Sequence, residues 1–344
     1  MQVCEVATQD NNNVWAAFGD DTWRPLDDLG DGGPAAVFQH SPDILALSSS
    51  SNNAKPLQWS RWEGAGWSRP VTIPTNLGGN SLDDNGLQPV FRFRQVDPSV
   101  GMLAGPAMSP VMAIAAGPAF RLKFINLWQT VIYGAIDWRL EPPEAIVHPR
   151  FVEWVELARL PIIDNITALE AFDQTRVLAG TESGRLYAVS IPGGFRELAF
   201  DPPDATQVIA IASDGRTIAC AKGSSLYVGA TGPQPLRRLE ACVFPPNGYG
   251  RHDKRPCDDM THASAVFRTV RANRNAKYVG LTFAAVVSEN EVWVSNSPVA
   301  AIWQRVSEGL PLGVRVTDLA FWESPSRGEL LLSTFGRSLW RLRF

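Results

Sequence analysis

The sequence predicts an all-β protein folded as a β-propeller of seven blades, with four antiparallel strands in each blade. The first observation is a recurring pair of a branched or leucyl residue and a large aromatic one: Val14-Trp15, Leu186-Tyr187, Leu226-Tyr227, Val292-Trp293 and Leu339-Trp340. A turn rich in Gly, Asn, Ser or Asp precedes each pair. An apolar marker follows four of the pairs: Trp23, Phe195, Leu236 and Trp303. An all-strand repeat of about 40–50 residues is typical of propeller blades.

Seven groups of apolar strands, separated by turn-forming residues, carry this repeat along the chain. They cover residues 3–26, 35–73, 89–157, 166–200, 208–239, 263–306 and 316–344. The fourth group is the clearest, because Glu182-Ser183-Gly184 and Pro192-Gly193-Gly194 are turn formers. It predicts strands at 166–172, 176–181, 185–190 and 195–200. The third group is the least regular, with strands predicted at 89–93, 111–116, 121–128 and 152–157.

The first and last groups are each one strand short of four. The first lacks its leading strand, and the last lacks its trailing strand. Either the N-terminal strands are assigned out of phase and the termini close the ring, or one blade edge is open. An open edge presents unpaired backbone groups to which a strand of a partner can add.

The repeat predicts a single domain over residues 1–344, although length alone would favour two domains. Insertions are predicted at 94–110, 129–151 and 241–262. Successive strands of a blade reverse direction, so loops between blades lie on the same face as turns between second and third strands. This parity places the loops 74–87 and 241–262 on one face.

Composition narrows the class of partner. The formal net charge of −4 and the absence of a basic stripe argue against nucleic-acid binding. The charge-free stretch 98–120 is interrupted by Pro106, Pro110 and Pro118, which argues against a membrane span. The four scattered cysteines fit reduced thiols, and the N-terminal residues lack a secretory pattern, so we expect a cytoplasmic protein. The excess of arginine over lysine suggests a GC-rich bacterial genome.

Three stretches resemble known propeller families. The sequences LLLSTFGRSLWRL (330–342) and VLAGTESGRLYAV (177–189) resemble strand–turn–strand units of the sialidase-like, or BNR-repeat, propellers. The sequence PLQWSRWEGAGWSRPVTIP (56–74) is similar to a blade of the seven-bladed propeller lectins. The sialidase box Ser-x-Asp-x-Gly-x-x-Trp is not matched by the chain's nearest stretch, 213–217, and no arginine triad can be placed. The resemblance therefore implies the fold without the catalysis.

The loops 74–87 and 241–262 hold the residues that we predict contact a protein partner, because loops can change without disturbing a propeller core. The candidates are Asn80, Asp83, Asp84, Tyr249, Arg251, Lys254 and Arg255. The run 83–86 offers oxygen ligands for calcium, but it lacks the EF-hand spacing and is typical of a turn.

The loop 241–262 also holds imidazole, thiolate and carboxylate groups, which together are ligands of divalent transition metals. These candidates are His252, Asp253, Cys257, Asp258, Asp259 and His262. Their spacing matches no zinc motif, so a metal site, a partner-binding loop and a solvated insertion all stay open for this segment. The chain has no phosphate-cradling glycine motif, and we expect no cofactor.

The sequence favours a non-catalytic binding or regulatory module that engages a protein partner through inter-blade loops or an open blade edge. A carbohydrate-binding propeller lectin is the first alternative, because twelve tryptophans could stack on sugar rings. Most of these tryptophans occupy blade-repeat positions, where core packing is expected. The second alternative is a metal-assisted hydrolase that uses the cluster at 252–262.

Overall fold

The computed structural model contains β-strands and no helix among the residues it describes, so the all-β prediction is confirmed. The described residues are 3–7, 13–17, 22, 24–25, 32–40, 43–50, 58–61, 63, 66–68, 71–72, 76–77, 80–81, 90–95, 111–116, 120–121, 128–135, 155–160, 164, 166–172, 176–190, 194–239, 241–243, 254–256, 267–272, 283–297, 302–307, 309–311, 313–324, 327–334 and 339–343. Within them, no helix of a length and hydropathy suited to crossing a membrane is present.

The chain divides into two compact units, and the first comprises Met1–Ile166 and Pro192–Gly194. Its described strands form four sheets. The first sheet contains β1 (Val3–Ala7), β2 (Asn13–Ala17) and β3 (Arg24–Pro25). The second contains β4 (Gly32–His40), β5 (Asp43–Ser50), β6 (Gln58–Arg61) and β7 (Val71–Thr72). A hairpin of β8 (Asn76–Leu77) and β9 (Asn80–Ser81) follows. The fourth sheet contains β10 (Val90–Gln95), β11 (Val111–Ala116), β12 (Phe120–Arg121), β13 (Trp128–Ala135) and β14 (Val155–Leu160).

The second unit comprises Thr167–Ile191 and Phe195–Phe344, and its described strands form four more sheets. The first contains β15 (Ile166–Ala171), β16 (Arg176–Thr181), β17 (Leu186–Ser190) and β18 (Phe195–Leu198). The next contains β19 (Phe200–Asp201), β20 (Val208–Ser213), β21 (Ile218–Lys222), β22 (Ser225–Gly229) and β23 (Leu236–Arg238). The third contains β24 (Ala241–Val243), β25 (Lys254–Pro256), β26 (Phe267–Ala272), β27 (Phe283–Val287), β28 (Glu291–Ser297) and β29 (Ile302–Arg305). The last contains β30 (Val316–Ser324), β31 (Arg327–Thr334) and β32 (Leu339–Arg343).

The strands predicted at 166–172, 176–181, 185–190 and 195–200 match the observed β15–β18 to within two residues. In the repeats β15–β18 and β20–β23, consecutive strands pair in antiparallel register, for example β16 with β17 and β21 with β22. The prediction for the third group is less accurate, because β13 spans Trp128–Ala135 instead of the predicted 121–128. Residues 129–135 of the predicted insertion 129–151 are therefore strand, and the extent of that insertion is corrected.

Two other loop predictions also need correction, because short strands lie inside them. The hairpin of β8 and β9 falls within 74–87, with Leu77 opposite Asn80. Strands β24 and β25 fall within 241–262 and pair with each other in antiparallel register. Short polar strands of two or three residues carry too little hydrophobic alternation for a sequence pattern to detect.

Two inter-sheet connections add a parallel strand to the outer edge of the sheet that follows them. Strand β19 pairs in parallel with β23, and β24 pairs in parallel with β29. These parallel pairs were not predicted from the antiparallel repeat. They cover backbone groups that an outer strand would otherwise present to other chains.

The terminal sheets each contain three strands among the described residues, β1-β2-β3 and β30-β31-β32. In the first sheet Trp15 lies on the second strand, whereas Tyr187 and Tyr227 lie on the third strands of the repeats β15–β18 and β20–β23. The aromatic pair therefore marks a different strand at the N-terminal sheet, as expected if that sheet lacks a leading strand.

Four of the aromatic markers of the second unit are core residues, whereas Trp340 is partly buried. Tyr187, Tyr227, Trp293 and Trp303 are each exposed by 1% or less, which confirms that core packing explains them. Phe195 differs, because it begins the outer strand β18 and is 42% exposed. Its ring still contacts Tyr187 edge to face, with 6.0 Å between the ring centroids.

The first two sheets of the second unit pack closely because a glycine faces a bulky side chain. A Cβ atom at Gly180 of β16 would lie 2.3 Å from Cγ1 of Val208 at the start of β20. The hydroxyl of Thr167 on β15 donates to the carbonyl of Val208 over 2.6 Å. The neighbouring sheets therefore meet without room for a side chain at position 180.

Candidate functional site

The predicted contact residues fall mostly outside the described part of the chain. Asn80 lies on β9, and Lys254 and Arg255 lie on β25, so three of the seven partner candidates belong to short strands. Asp83, Asp84, Tyr249 and Arg251 lie outside the described residues. Their contacts with a partner stay predictions.

The six metal candidates also lie outside the described residues: His252, Asp253, Cys257, Asp258, Asp259 and His262. Elsewhere, the described residues hold no group of three or more His, Cys, Asp or Glu side chains placed to bind a metal ion. The metal site at 252–262 therefore stays a prediction.

The described loops confirm the predicted parity on one face of the second unit. The turn 182–185 between β16 and β17 touches the inter-sheet loop 201–207, since a Cβ at Gly184 would lie 2.4 Å from the carbonyl oxygen of Thr206. Gly223, in the turn between β21 and β22, lies against the same threonine, with 2.9 Å from a Cβ to its Cγ2. We call residues 182–184, 201–207 and 223–224 the loop surface.

Much of the loop surface is exposed to solvent. The exposed residues are Glu182, Ser183, Asp201, Pro202, Pro203, Ala205, Thr206 and Gln207. Two prolines in succession, Pro202 and Pro203, restrict the backbone of the loop. The surface therefore presents several side chains from a backbone with limited conformational freedom.

Lys222 lies beneath this surface at the end of β21, and its side chain is buried at 1% exposure. The chain places it there because β21 reads Ile218-Ala219-Cys220-Ala221-Lys222 and pairs on both sides, with β20 and with β22. Its ammonium group donates to the carbonyl of Gly184 over 2.6 Å and to the carbonyl of Asp204. It also lies 3.8 Å from the centre of the Phe200 ring, within the range of a cation–π contact.

Asp204 connects the buried cation to the loop. Its carboxylate accepts a hydrogen bond from the backbone N–H of Thr206 over 2.7 Å. The Tyr227 hydroxyl lies 3.2 Å from both Oδ2 of Asp204 and the carbonyl of Pro202, and it donates its proton to these acceptors. Lys222, Asp204 and Tyr227 are therefore each hydrogen-bonded to the backbone of the loop.

Burial and neighbouring charges both shift the pKa values of the ionisable groups in this cluster. Burial alone would raise the pKa of Asp204, but hydrogen bonds from Thr206 and the charge of Lys222 lower it below its ordinary value. Burial lowers the pKa of Lys222, although the Asp204 carboxylate opposes that shift. Burial raises the pKa of Cys220 and of Tyr227 to about 12 in each case, with the Asp204 charge contributing to both.

These pKa shifts decide what the cluster can do chemically. A thiol and a phenol with pKa values of about 12 are protonated at neutral pH, so neither Cys220 nor Tyr227 is an activated nucleophile. The amine of Lys222 is buried and already donates to two carbonyls. The cluster is suited to holding the loop in place and not to attacking a substrate.

On the opposite face, two arginines join the first two sheets of the second unit. Arg176 on β16 donates to the Thr231 hydroxyl over 2.6 Å. Arg196 on β18 donates to the carbonyls of Thr231 and Gly232, in the turn that follows β22. The first two sheets of the second unit are thus joined on both faces.

A second charged group lies on the inner strands. Arg271 of β26 donates to Asp318 of β30 over 2.7 Å, and the Thr269 hydroxyl donates to the same carboxylate over 3.2 Å. Burial alone would lower the pKa of Arg271, but the charge and hydrogen bond of Asp318 and the charge of Glu170 raise it. The cation is compensated by these acids, so the group joins strands of different sheets.

Sequence reasoning missed both charged groups. Lys222 carries one detectable signal, because a lysine that ends a run of small apolar residues is unusual. Its acceptors are backbone carbonyls distant in sequence, which no residue pattern reveals. For Arg271 and Asp318 the sequence offered no signal, because they lie in strands predicted from hydrophobicity alone.

Comparison with known proteins bears on the fold. No family model matches the chain, and the curated proteins give no significant sequence match. Among solved structures, YCF48 from Cyanidioschyzon merolae is 12% identical, with a TM-score of 0.57 over 99% of this chain and 90% of that one. BBS1N in complex with ARL6DN is 11% identical, with a TM-score of 0.50 over 98% of this chain and 85% of that one.

Raptor from Chaetomium thermophilum is 12% identical, with a TM-score of 0.57 over 98% of this chain and 27% of that one. These neighbours are β-propeller proteins. Identities this low show the fold alone, so the sialidase-like resemblance and the count of seven blades stay predictions. The chain is an all-β protein with the β-propeller fold.

Proposed function

We propose that the chain is a non-catalytic β-propeller module that binds a protein partner through the loop surface. The observation that carries this proposal is the exposed loop 201–207, whose backbone is held from beneath by buried polar groups. Binding costs less when the recognised conformation exists before the partner arrives, because less conformational entropy is lost. A loop that was merely a solvated connection would not need buried polar support.

Two further observations support the proposal. The described cluster under the loop has no activated nucleophile, since the pKa values of Cys220 and Tyr227 are about 12. The BBS1N structure was solved in complex with ARL6DN, so a protein of similar fold has been observed with a protein partner. The predicted partner contacts on 74–87 and 241–262 belong to the same proposal. The parity of the repeat predicts that each of these loops lies on the face of its own sheet that corresponds to the loop surface.

A pair of matched variants tests the proposal. Gln207 is exposed on the loop surface, and Gln234 is exposed in the turn 230–235 on the opposite face. We expect Gln207→Arg to reduce recovery of the partner from host-cell extract at least fivefold, because the added charge and bulk lie within the interface. Gln234→Arg should leave recovery unchanged. The measurement is quantitative mass spectrometry after affinity capture of the tagged full chain.

Equal recovery by the intact chain and by Gln207→Arg would contradict binding through the loop surface. A variant that lacks residues 243–260 tests the predicted contribution of the second loop in the same assay. If that variant alone loses the partner, binding depends on the loop 241–262 and not on the loop 201–207.

Each of the two alternative functions inferred from the sequence has its own test. A glycan array examines carbohydrate binding, and elemental analysis of the purified protein examines a metal at 252–262. Cytoplasmic residence and a bacterial origin also stay proposals, and fractionation of the host cells checks the first.

A further inference from the structure

Lys222 is unusual within its own repeat. It ends β21, the second strand of the antiparallel repeat β20–β23, and the corresponding strands β16, β27 and β31 end in Thr181, Val287 and Thr334. Thr181 and Val287 are both fully buried. The fold therefore builds the same position from neutral residues, and nothing in the strand pairing requires a lysine there.

A buried cation at this position has a cost that its contacts must offset. Transfer of an ammonium group out of water is unfavourable unless it is paired and hydrogen-bonded. Lys222 offsets that cost by donating to Gly184 and Asp204 and by lying over the ring of Phe200. The lysine is thus the one charged residue among these four corresponding strand ends, and it lies directly beneath the exposed loop.

The two carbonyls that Lys222 contacts belong to different segments of the loop surface. Gly184 lies in the turn 182–184 of one sheet, and Asp204 lies in the loop that leads to the next sheet. Both acceptors are backbone atoms, so the contacts depend on the path of each segment and not on its side chains. One ammonium group therefore fixes the distance between the two segments.

We propose that Lys222 is a positioning residue of the partner-binding surface, holding the turn 182–184 and the loop 201–207 in one arrangement that a protein partner reads as a single epitope. This inference rests on the proposed function. Lys222 does not touch the partner, because its side chain is buried. Its effect on binding passes through the backbone of the two segments.

Hydrogen exchange measured by mass spectrometry on the full chain tests the coupling without a partner. In Lys222→Met we expect the hydrogen-bonded amides of Gly184 and Arg185 in one segment, and of Thr206 in the other, to exchange at least tenfold faster, all together. Amides of β27 and β28 should be unchanged, because the hydrogen bonds that the lysine donates run to Gly184 and Asp204 and not to those strands. Amide exchange reports local opening, so it separates a loosened surface from a general loss of stability.

Tyr227→Phe is the matched control. It removes the hydroxyl that contacts Pro202 and Asp204 but leaves the lysine and its contact with Gly184. We expect faster exchange in 201–207 alone. If Lys222→Met does not fold, Lys222→Gln takes its place, with the same measurement and the same criterion.

Unchanged exchange in either segment of a folded Lys222 variant would overturn the positioning role. Affinity capture of the host-cell protein then separates the two proposals. If Gln207→Arg loses the partner and Lys222→Met retains it, the surface binds a partner but Lys222 does not position it. If Gln207→Arg retains the partner, the proposed function itself fails, whatever the exchange shows.

Discussion

At the scale of single residues, Gly184 shows how tightly the loop surface is packed. Its φ of +83° is a conformation that other residues adopt at a cost, and a Cβ there would lie 2.4 Å from the Thr206 carbonyl oxygen. Neither the conformation nor the space at this position permits a side chain. The glycine that the sequence marks only as a turn former is thus also an interface residue between two sheets.

Replacement of Gly184 by alanine should destabilise the protein more than the same replacement at Gly309. Gly309 has a similar φ of +91°, but a methyl group added there would meet no atom of the described residues within 4 Å. Backbone strain should cost about 1–2 kcal/mol at either position. Gly184→Ala should cost about 1–3 kcal/mol more, because the methyl group displaces the loop. Urea unfolding of both variants measures the difference. Equal free energies of unfolding would show that the loop moves aside without a cost in stability.

Asp204 should make the stability of the protein depend on pH at the acidic end. Its pKa in the folded protein lies below the ordinary value of 3.8, so folding favours the ionised form. The contribution is therefore present above pH 3.8 and is lost as the pH falls through the lowered pKa. Asp204→Asn should be less stable than the native chain at neutral pH, and the gap should close below pH 3.8.

Thermal unfolding of both proteins across the acidic range measures that gap. A gap that stays constant with pH would mean that the carboxylate charge does not contribute. Thr317→Ala on the exposed face of β30 provides a comparison, since its hydroxyl contacts only Ser333 among the described residues and does not ionise.

The sequence predicted apolar residues better than charged ones. Tyr187, Tyr227 and Trp293 were predicted as core markers because burial follows from their size and their periodic spacing. Lys222 could not be predicted as a buried residue, because a lysine in isolation is expected to be solvated. Only the folded chain brings Gly184 and Asp204 to its amine.

At the scale of elements, the close contact of β16 with β20 depends on Gly180 and Val208. Gly180→Ala places a methyl group 2.3 Å from Cγ1 of Val208, so the two sheets must separate or a side chain must move. We expect a loss of about 1–3 kcal/mol of unfolding free energy. Val208→Ala should restore part of that loss, because it removes the atom that the new methyl group meets.

A double-mutant cycle measures this compensation. The double variant should be more stable than the sum of the single effects predicts, by about 0.5–2 kcal/mol. Additive effects would indicate that the sheets adjust elsewhere and that the glycine is not required for their contact.

Strand prediction succeeded where hydrophobic runs are bounded by clear turns, as in β15–β18. It failed at β13, because the residues 121–128 and the true strand Trp128–Ala135 are both rich in apolar side chains. It also missed β19 and β24, since parallel pairing of a short connection depends on where the next sheet lies. Local patterns do not contain that information.

At the scale of the whole molecule, the propeller fold was predictable because the repeat recurs along most of the chain. Each blade-sized unit contributes similar apolar strands, so an error in one unit does not obscure the pattern. The loop surface was less predictable, because it is formed by loops and by contacts between different repeats. The predicted loops 74–87 and 241–262 and the described loop 201–207 follow from the same parity, but only the last is described in atomic detail.

The second unit is held together by contacts that differ from one pair of sheets to the next. Buried apolar clusters join β20–β22 to β26–β29 and join β27–β28 to β30–β31. Arg271 and Asp318 add a charged link between the inner strands β26 and β30. Repeats that share a backbone plan thus diverge in side-chain chemistry, and each junction between sheets is held by its own set of groups.

The parallel strands β19 and β24 have a consequence for synthesis on the ribosome. Each precedes in sequence the outer strand whose edge it covers, so it has already been synthesised when β23 or β29 is translated. The vulnerable edge is thus paired as soon as the outer strand docks, and nascent chains on a crowded polysome meet fewer open edges through which to aggregate.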